Sequence, residues 1–236
     1  SLDALAGLDD AVLAPAARWT LASLAARLGP RDVSPVVLTG GRFEVDLREG
    51  VRTRRMPLAE YLAHLASPGA PPYYLRLPLE GELRALTHDA PLDAWCAGAV
   101  AAKHNLWVGA AGTTSALHRD LAHNLHTVIE GRKRFWLAAP AHDGDVYPCA
   151  PWASVPNGAR VDPEAPDLAR FPRFSRVRPW LTDVSPGEAL LLPARWWHHV
   201  RSEAASVAVN TFFAWGAHAV AVAAANAVKG AVGLNR

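Results

Sequence analysis

Two histidines and one aspartate have the residue types and the order of a metal-binding set. His118 and Asp120 are two positions apart, so on a β-strand both side chains would lie on the same face. A second histidine, either His198 or the adjacent His199, follows a pair of tryptophans much later in the chain. Two histidines and one carboxylate leave coordination positions open on a non-haem Fe(II) ion. The His-x-Asp pair alone more often marks a surface histidine beside an aspartate, so it is the combination with His198 that favours a metal site.

Short apolar segments separated by turn residues must position these side chains. In the second half of the chain they lie at residues 105–109, 124–129, 134–138, 189–192, 197–201 and 207–213. Strands of this length and spacing predict an antiparallel barrel or jelly roll. The first half has helical patterns and strand-like runs, at 11–28 and 55–65 for the helices and at 35–39, 43–47 and 73–77 for the strands.

We expect a single domain over residues 1–236. Residues 1–103 form its mixed, partly helical N-terminal part, 104–213 the jelly-roll core, and 214–236 a C-terminal helix. This last segment is rich in alanine and interrupted by polar residues, which predicts a packed or dimer-forming helix rather than a membrane span.

A long segment at 139–180 interrupts the predicted core. It contains eight prolines, but Tyr147, Trp152, Phe171 and Phe174 are interleaved with them. Disordered segments are poor in aromatic residues, so we expect an ordered excursion that packs against the barrel.

Composition narrows the function classes. The chain has 236 residues, 50% of them hydrophobic, and a formal net charge of +2, which gives no electrostatic case for a nucleic-acid or membrane partner. The two cysteines, Cys96 and Cys149, are far apart and form no disulfide framework, and the first residues lack a signal-peptide pattern. We therefore expect a reduced, cytoplasmic protein. Lysine is rare: only Lys103, Lys133 and Lys229 among 24 basic residues.

The sequence around the metal set resembles the JmjC and cupin-like 2-oxoglutarate oxygenases, and most of all the asparaginyl-hydroxylase (factor-inhibiting-HIF) type. The resemblance covers about residues 73–213. Among the groups of residues that carry it are Trp107-Val-Gly-x-x-Gly112-x-x-Ser115-x-x-His118-x-Asp120-x-x-x-Asn124-Leu125, Ile129-x-Gly131-x-Lys133-Arg134-Phe135, Trp196-Trp197-His198 and Asn210-x-Phe212-Phe213. It implies a mainly β fold, a double-stranded β-helix with flanking N-terminal helices and a C-terminal helix.

The resemblance also implies roles for individual residues. His118, Asp120 and His198 match the Fe(II) ligands, and His199 would then point to the other face of its strand. The cosubstrates would be 2-oxoglutarate and O2. The predicted 2-oxoglutarate contacts are Lys133 and Ser115 at the distal carboxylate, Tyr74 as a second hydroxyl, and Asn124 and Asn210 along the pocket. The predicted substrate pocket is formed by Arg76, Trp197 and Phe212.

Departures from the family pattern leave the substrate open. Ser115 stands in place of the usual threonine, Phe212 in place of tryptophan, and Arg76 in place of a glutamine near the substrate. Three function classes remain: a hydroxylase of a peptide or protein side chain, a hydroxylase of a free amino acid or small natural product, and a non-oxygenase metal-binding cupin. Lys133 with Ser115 disfavours the third, since a plain metal cupin needs no 2-oxoglutarate anchor. The C-terminal helix could form a homodimer.

Overall fold

The computed structural model describes residues 19–38, 42–43, 52–65, 67, 73–88, 96–99 and 101–231. Three α-helices lie in these ranges: α1 (Leu21–Leu28), α2 (Leu58–Leu65) and α3 (Gly216–Ala231). The strands of the N-terminal part are β1 (Asp32–Val33), β2 (Val36–Val37), β3 (Arg42–Phe43), β4 (Met56–Pro57) and β5 (Tyr73–Pro78). Those of the core are β6 (Ala101–Gly109), β7 (Thr114–Arg119), β8 (His123–Glu130), β9 (Lys133–Ala138), β10 (Trp180–Val184), β11 (Ala189–Leu192), β12 (Trp197–Ser202) and β13 (Ser206–Ala214).

Two large sheets form the core. One has the strand order β11-β8-β13-β6-β5-β2 and the other the order β10-β9-β12-β7-β3, while β1 and β4 pair separately. Neighbouring strands are antiparallel, except that β3 runs parallel to β7. Residues of both large sheets pack together in one buried cluster and line one cavity between the sheets. The predicted mainly β, double-stranded β-helix fold is confirmed.

Side-chain alternation gives each sheet an inner and an outer face. In β8, Val128 packs between the sheets, whereas Leu125 and Ile129 belong to the outer cluster of the six-stranded sheet. That outer cluster is completed by residues of the two N-terminal helices, among them Leu24 and Tyr61. The buried Tyr61 hydroxyl donates to the carbonyl of Val108 at 2.6 Å and so ties α2 to the sheet.

The boundaries of α1 follow from local capping. The Thr20 hydroxyl accepts a hydrogen bond from the Ser23 amide at 3.2 Å, as expected of an N-cap residue. The helix ends at Gly29, whose φ of 67° lies in the left-handed region that glycine adopts without strain. The sequence predicted this end. The part of the predicted helix before residue 19, and most of the predicted strand at 43–47, lie outside the described residues.

The segment 139–180 covers the outer face of the five-stranded sheet. Val146, Val161, Phe171, Phe174 and Val177 pack there against strand residues. Two short 3-10 helices, Pro140–His142 and Pro172–Arg176, are the regular structure within it. The expected packed excursion is thus present, and β10, which the sequence did not predict, begins at its end.

Helix α3 follows β13 directly and agrees with the predicted C-terminal helix. Within the ranges that the structure describes, no helix is long and apolar enough to cross a membrane.

Candidate active site

A cavity of about 280 Å³ lies between the two sheets. Most of the side chains that the sequence singled out line it: Tyr74, Arg76, Ser115, His118, Asp120, Asn124, His198, Asn210 and Phe212. These residues come from five strands and from the turn after β7, so folding alone brings them together.

The predicted metal ligands lie together at one side of this cavity. His118 on β7 and His198 on β12 are direct cross-strand partners, and their rings are 4.1 Å apart between centroids. Asp120 follows the end of β7, with Oδ2 3.4 Å from Nε2 of His198 and 4.0 Å from Nε2 of His118. The potential ligand atoms all lie within 4.8 Å of one another. This spacing suits one metal ion bound by all three residues.

Backbone carbonyl groups set the tautomer of both histidines. Nδ1 of His118 lies 2.6 Å from the carbonyl oxygen of Ala116, and Nδ1 of His198 lies 3.0 Å from that of Trp196. A carbonyl oxygen can only accept, so each Nδ1 carries the hydrogen and each Nε2 keeps its lone pair. Burial, together with the nearby His198, lowers the pKa of His118 to about 4, which keeps its ring neutral. Two nitrogen lone pairs and a carboxylate thus converge, and this donor set fits Fe(II).

Lys133 lies behind the cavity wall, at a different place from the metal set. It is 1% exposed, and its Nζ donates to the Tyr74 hydroxyl and to Ser202 Oγ, both at 3.1 Å. Among the described residues no acidic side chain pairs with this ammonium, and burial lowers the pKa of Lys133 to about 7. Lys133 is not itself part of the cavity lining, whereas Tyr74 is. A buried cation beside two hydroxyl groups is suited to a carboxylate ligand.

A register shift brings Ser115 to the cavity. Ser115 is three residues from His118, so regular alternation would place the two side chains on opposite faces. The pairing of β7 with β12 is irregular between His198 and Val200: His118 is opposite His198, but Ser115, not Ala116, is opposite Val200. The extra residue in β7 is typical of a β-bulge, and it lets both side chains line the cavity.

The two predicted asparagines form a hydrogen-bonded network on the six-stranded sheet. Asn210 Nδ2 donates to Asn124 Oδ1 at 2.9 Å. Asn210 Oδ1 accepts from Trp107 Nε1 at 2.7 Å and from Asn105 Nδ2 at 3.1 Å. Because neighbouring groups hold it from both sides, Asn210 has a fixed orientation in the cavity wall.

The chain matches a known protein family. A sequence profile of the family described as cupin-like domain matches residues 14–216. The chain belongs to this family. The expected resemblance to JmjC and cupin-like proteins is confirmed at that level, while the specific likeness to asparaginyl hydroxylases stays a prediction.

Individual relatives of this cupin-like chain are JmjC proteins. It is 29% identical to the human bifunctional peptidase and (3S)-lysyl hydroxylase JMJD7, over 83% of this chain and 72% of that protein. It is 36% identical to the Jumonji C domain-containing protein 5 of Drosophila melanogaster, over 58% of this chain and 35% of the relative. A third match is the lysine-specific demethylase JMJ30 of Arabidopsis thaliana, at 30% identity over 61% of this chain and 34% of the relative. The chain thus spans about a third of the length of the last two.

The structure corrects the prediction for Trp197. Trp197 is adjacent to His198 on β12, so its side chain points to the outer face, where it is fully buried with the 139–180 segment. Its Nε1 donates to Asp143 Oδ1 at 2.6 Å, and Arg119 lies 4.8 Å from its ring. Trp197 is therefore a packing residue and is not part of the cavity lining. His199, two residues further along β12, contacts Glu164 at 3.2 Å, as expected of a side chain on that face.

Two polar residues of the site were not predicted. Ser202 accepts a hydrogen bond from the Lys133 ammonium. The two residues are opposite each other on β12 and β9, so Ser202 could be predicted only from the pairing of these strands. His126 was given no role from the sequence, but it is 7% exposed and lines the cavity. Its position two residues after Asn124 on β8 could have indicated this, because alternate residues share a face.

Proposed function

We propose that this cupin-like chain is an Fe(II)- and 2-oxoglutarate-dependent dioxygenase that hydroxylates a C–H bond of a peptide or protein side chain. One observation carries the proposal: a convergent His-Asp-His set lines a cavity whose wall also contains Tyr74, the hydrogen-bond partner of the buried Lys133. When bound, Fe(II) with 2-oxoglutarate and O2 supplies the oxidative chemistry, which yields succinate, CO2 and a hydroxylated substrate.

In this proposal the residues of the chain bind and orient. His118, Asp120 and His198 would hold the metal through two neutral Nε2 atoms and one carboxylate oxygen. Lys133 and Tyr74 would hold the distal carboxylate of 2-oxoglutarate, with Ser115 beside them. Asn124 and Asn210 would line the cosubstrate, and the apolar residues of the cavity lining would exclude water from it.

The substrate class rests on the relatives and on the cavity mouth. Two relatives carry names for lysine modification in proteins, (3S)-lysyl hydroxylase and lysine-specific demethylase, which supports a protein side chain. Arg76 is exposed at the cavity, with its guanidinium 6.0 Å from the Trp107 ring, and Phe212 lines the same space. We place both in contact with the substrate. A free amino acid or small natural product is the alternative substrate class.

Turnover of 2-oxoglutarate tests the metal assignment. Purified protein with Fe(II) should convert 2-oxoglutarate to succinate, and His118→Ala or Asp120→Ala should abolish conversion because each removes a ligand. His199→Gln is the matched control, since His199 is a buried histidine next to a ligand but faces the outer side of the sheet. Full turnover in both ligand variants would contradict the proposal.

Mass spectrometry tests the substrate class. We expect a gain of one oxygen, about 16 Da, on a peptide when lysine-containing and asparagine-containing peptides are offered together with the free amino acids. A gain on a free amino acid with none on any peptide would favour the alternative.

Assembly and location complete the proposal. We place the protein in the cytoplasm, because the spacing of Cys96 and Cys149 is not that of a disulfide framework, and we propose a homodimer formed through α3. Val220 on this helix is 69% exposed, so Val220→Asp should convert a dimer to a monomer in light scattering if α3 forms the contact.

A further inference from the structure

His126 is a buried polar side chain in the cavity wall with no role in the proposed function so far. Alternation along β8 places it on the inner face, together with Asn124. Its strand neighbours are Asn210 on β13 and Leu190 on β11, and its ring meets that of Phe135 edge to face at 5.2 Å. This packing fixes where the ring lies.

The Nε2 atom of His126 is buried without a hydrogen-bond partner in the part of the chain that the structure describes. Such atoms are uncommon in folded proteins, because a buried polar atom without a partner loses its hydration and gains nothing in return. The aromatic contact with Phe135 does not satisfy it. Since His126 lines the cavity, a bound ligand is the natural partner.

The charges around His126 indicate which part of a ligand it meets. Burial, then the positive charge of Lys133, then His198 keep the pKa of His126 well below its usual value. The ring is therefore neutral and offers one N–H donor. Geometry agrees with this order, because the ring of His126 contacts that of Phe135, which is two residues from Lys133 on β9. A dicarboxylate held by the metal set at one end and by Lys133 at the other would pass beside it.

We propose that His126 is a further cosubstrate-binding residue, whose Nε2–H donates a hydrogen bond to the carboxylate that Lys133 holds. This inference rests on the proposed function. A neutral donor suits this place, because Lys133 is already a buried cation and a second one would repel it. The donor comes from the six-stranded sheet, as Tyr74 does, while Lys133 and Ser202 belong to the five-stranded sheet. The carboxylate would thus be held from both sheets.

Calorimetry tests the inference without catalysis. The Mn(II)-loaded protein is titrated with 2-oxoglutarate and with 2-oxovalerate, which has the same carbon chain but a methyl group in place of the distal carboxylate. His126→Phe should weaken 2-oxoglutarate binding about 10-fold or more, the usual effect of losing a hydrogen bond to a charged group. Binding of 2-oxovalerate and of Mn(II) should stay the same. His126→Gln, which keeps an N–H donor, should restore most of the affinity.

A matched control separates this role from packing. His104 is also a buried histidine of the six-stranded sheet, and its Nδ1 contacts Thr211 Oγ1 at 2.9 Å. His104→Phe should leave 2-oxoglutarate affinity unchanged. Unchanged 2-oxoglutarate affinity in His126→Phe would overturn the inference and leave the proposed function intact, and so would an equal loss for both ligands. No binding of 2-oxoglutarate by the unaltered protein would instead overturn both.

Discussion

Backbone carbonyl groups, not side chains, orient both ligand histidines. In each case Nδ1 contacts the carbonyl oxygen two residues earlier in the chain, that of Ala116 for His118 and that of Trp196 for His198. In many metal sites a carboxylate side chain accepts this hydrogen bond, and replacing that side chain changes the orientation of the histidine ligand. Here the acceptor is part of the main chain, so substitutions at positions 116 and 196 should leave the histidine tautomers as they are.

Lys133 predicts a pH dependence of cosubstrate binding. Burial lowers the pKa of its ammonium to about 7, so above that pH the ligand-free protein must take up a proton to bind a carboxylate. We expect the affinity for 2-oxoglutarate to fall between pH 7 and pH 8.5, by up to about 10-fold per pH unit. The titratable neighbours do not interfere: burial raises the pKa of Tyr74 and lowers that of His126, so both stay neutral.

Calorimetry at pH 6.5, 7.5 and 8.5 measures this effect. Lys133→Met, which keeps the length but not the charge, should bind more weakly at pH 6.5 and show no change with pH. An affinity of the unaltered protein that stays constant over this range would contradict a role for Lys133 as the anion-binding group.

The metal set could be predicted because each ligand lies in a short sequence motif. His118 and Asp120 lie on one strand and the turn after it, whereas His198 was preferred to His199 because the ligand directly follows the tryptophan pair in the family pattern. Lys133 was singled out by its rarity and by the family pattern. The contacts of these residues were harder to predict. Ser202 is opposite Lys133 only because β12 pairs with β9, and no local sequence pattern indicates that pairing. His126 was given no role from the sequence because polar residues on strands are more often solvated.

At the scale of elements, single-residue offsets decide which side chains reach the cavity. Ser115 reaches it only because the pairing of β7 with β12 is irregular, and no sequence pattern gave the position of that irregularity. Trp197 fails to reach it because it is one residue from His198. The strand assignments at 105–109, 124–129 and 189–192 were within a few residues of the observed bounds, since clear apolar runs end at turn residues there. Strand β10 was missed because Pro179 and an exposed Trp180 resemble the end of a loop.

Asp143 connects the 139–180 segment to the five-stranded sheet. It accepts the indole hydrogen bond of Trp197 at 2.6 Å and forms an ion pair with Arg119, the strand partner of Trp197. Asp143→Ala leaves a buried indole N–H and a partly buried guanidinium without this acceptor. We expect a loss of about 1–3 kcal/mol in the free energy of unfolding, measured in urea.

Two comparisons give this prediction its specificity. Asp143→Asn keeps an oxygen that can accept the hydrogen bond from Trp197, so its free energy of unfolding should fall by less than that of Asp143→Ala. Neither change should alter 2-oxoglutarate affinity, because the contact lies on the outer face of the sheet. Reduced cosubstrate affinity at unchanged stability would show that this face communicates with the cavity.

At the scale of the whole molecule, buried neutral histidines make the metal-free fold sensitive to acid. Burial is the largest cause that lowers the pKa of His118, of His126 and of His199 below the usual 6.5. Two of them lie on the inner faces of different sheets and one lies on an outer face. Their protonation is therefore coupled to unfolding of both large sheets. In the unfolded chain all three would bind protons below about pH 6.5. The folded state, which does not, must therefore lose stability as the pH falls.

The sign and slope of this dependence can be measured. The free energy of unfolding of the metal-free protein should decrease from pH 6.5 towards pH 4, by about 1.4 kcal/mol per pH unit for each proton taken up on unfolding. His126→Gln removes one such proton and should reduce the slope by about that amount. Below about pH 4.5 a carboxylate adds to the loss, since the hydrogen bond from Arg201 lowers the pKa of Glu164 to about 2. Urea unfolding at half-unit intervals between pH 7 and pH 5.5 tests the histidine contribution alone. A flat profile over that interval, or an unchanged slope in His126→Gln, would show that these rings can be protonated inside the folded barrel.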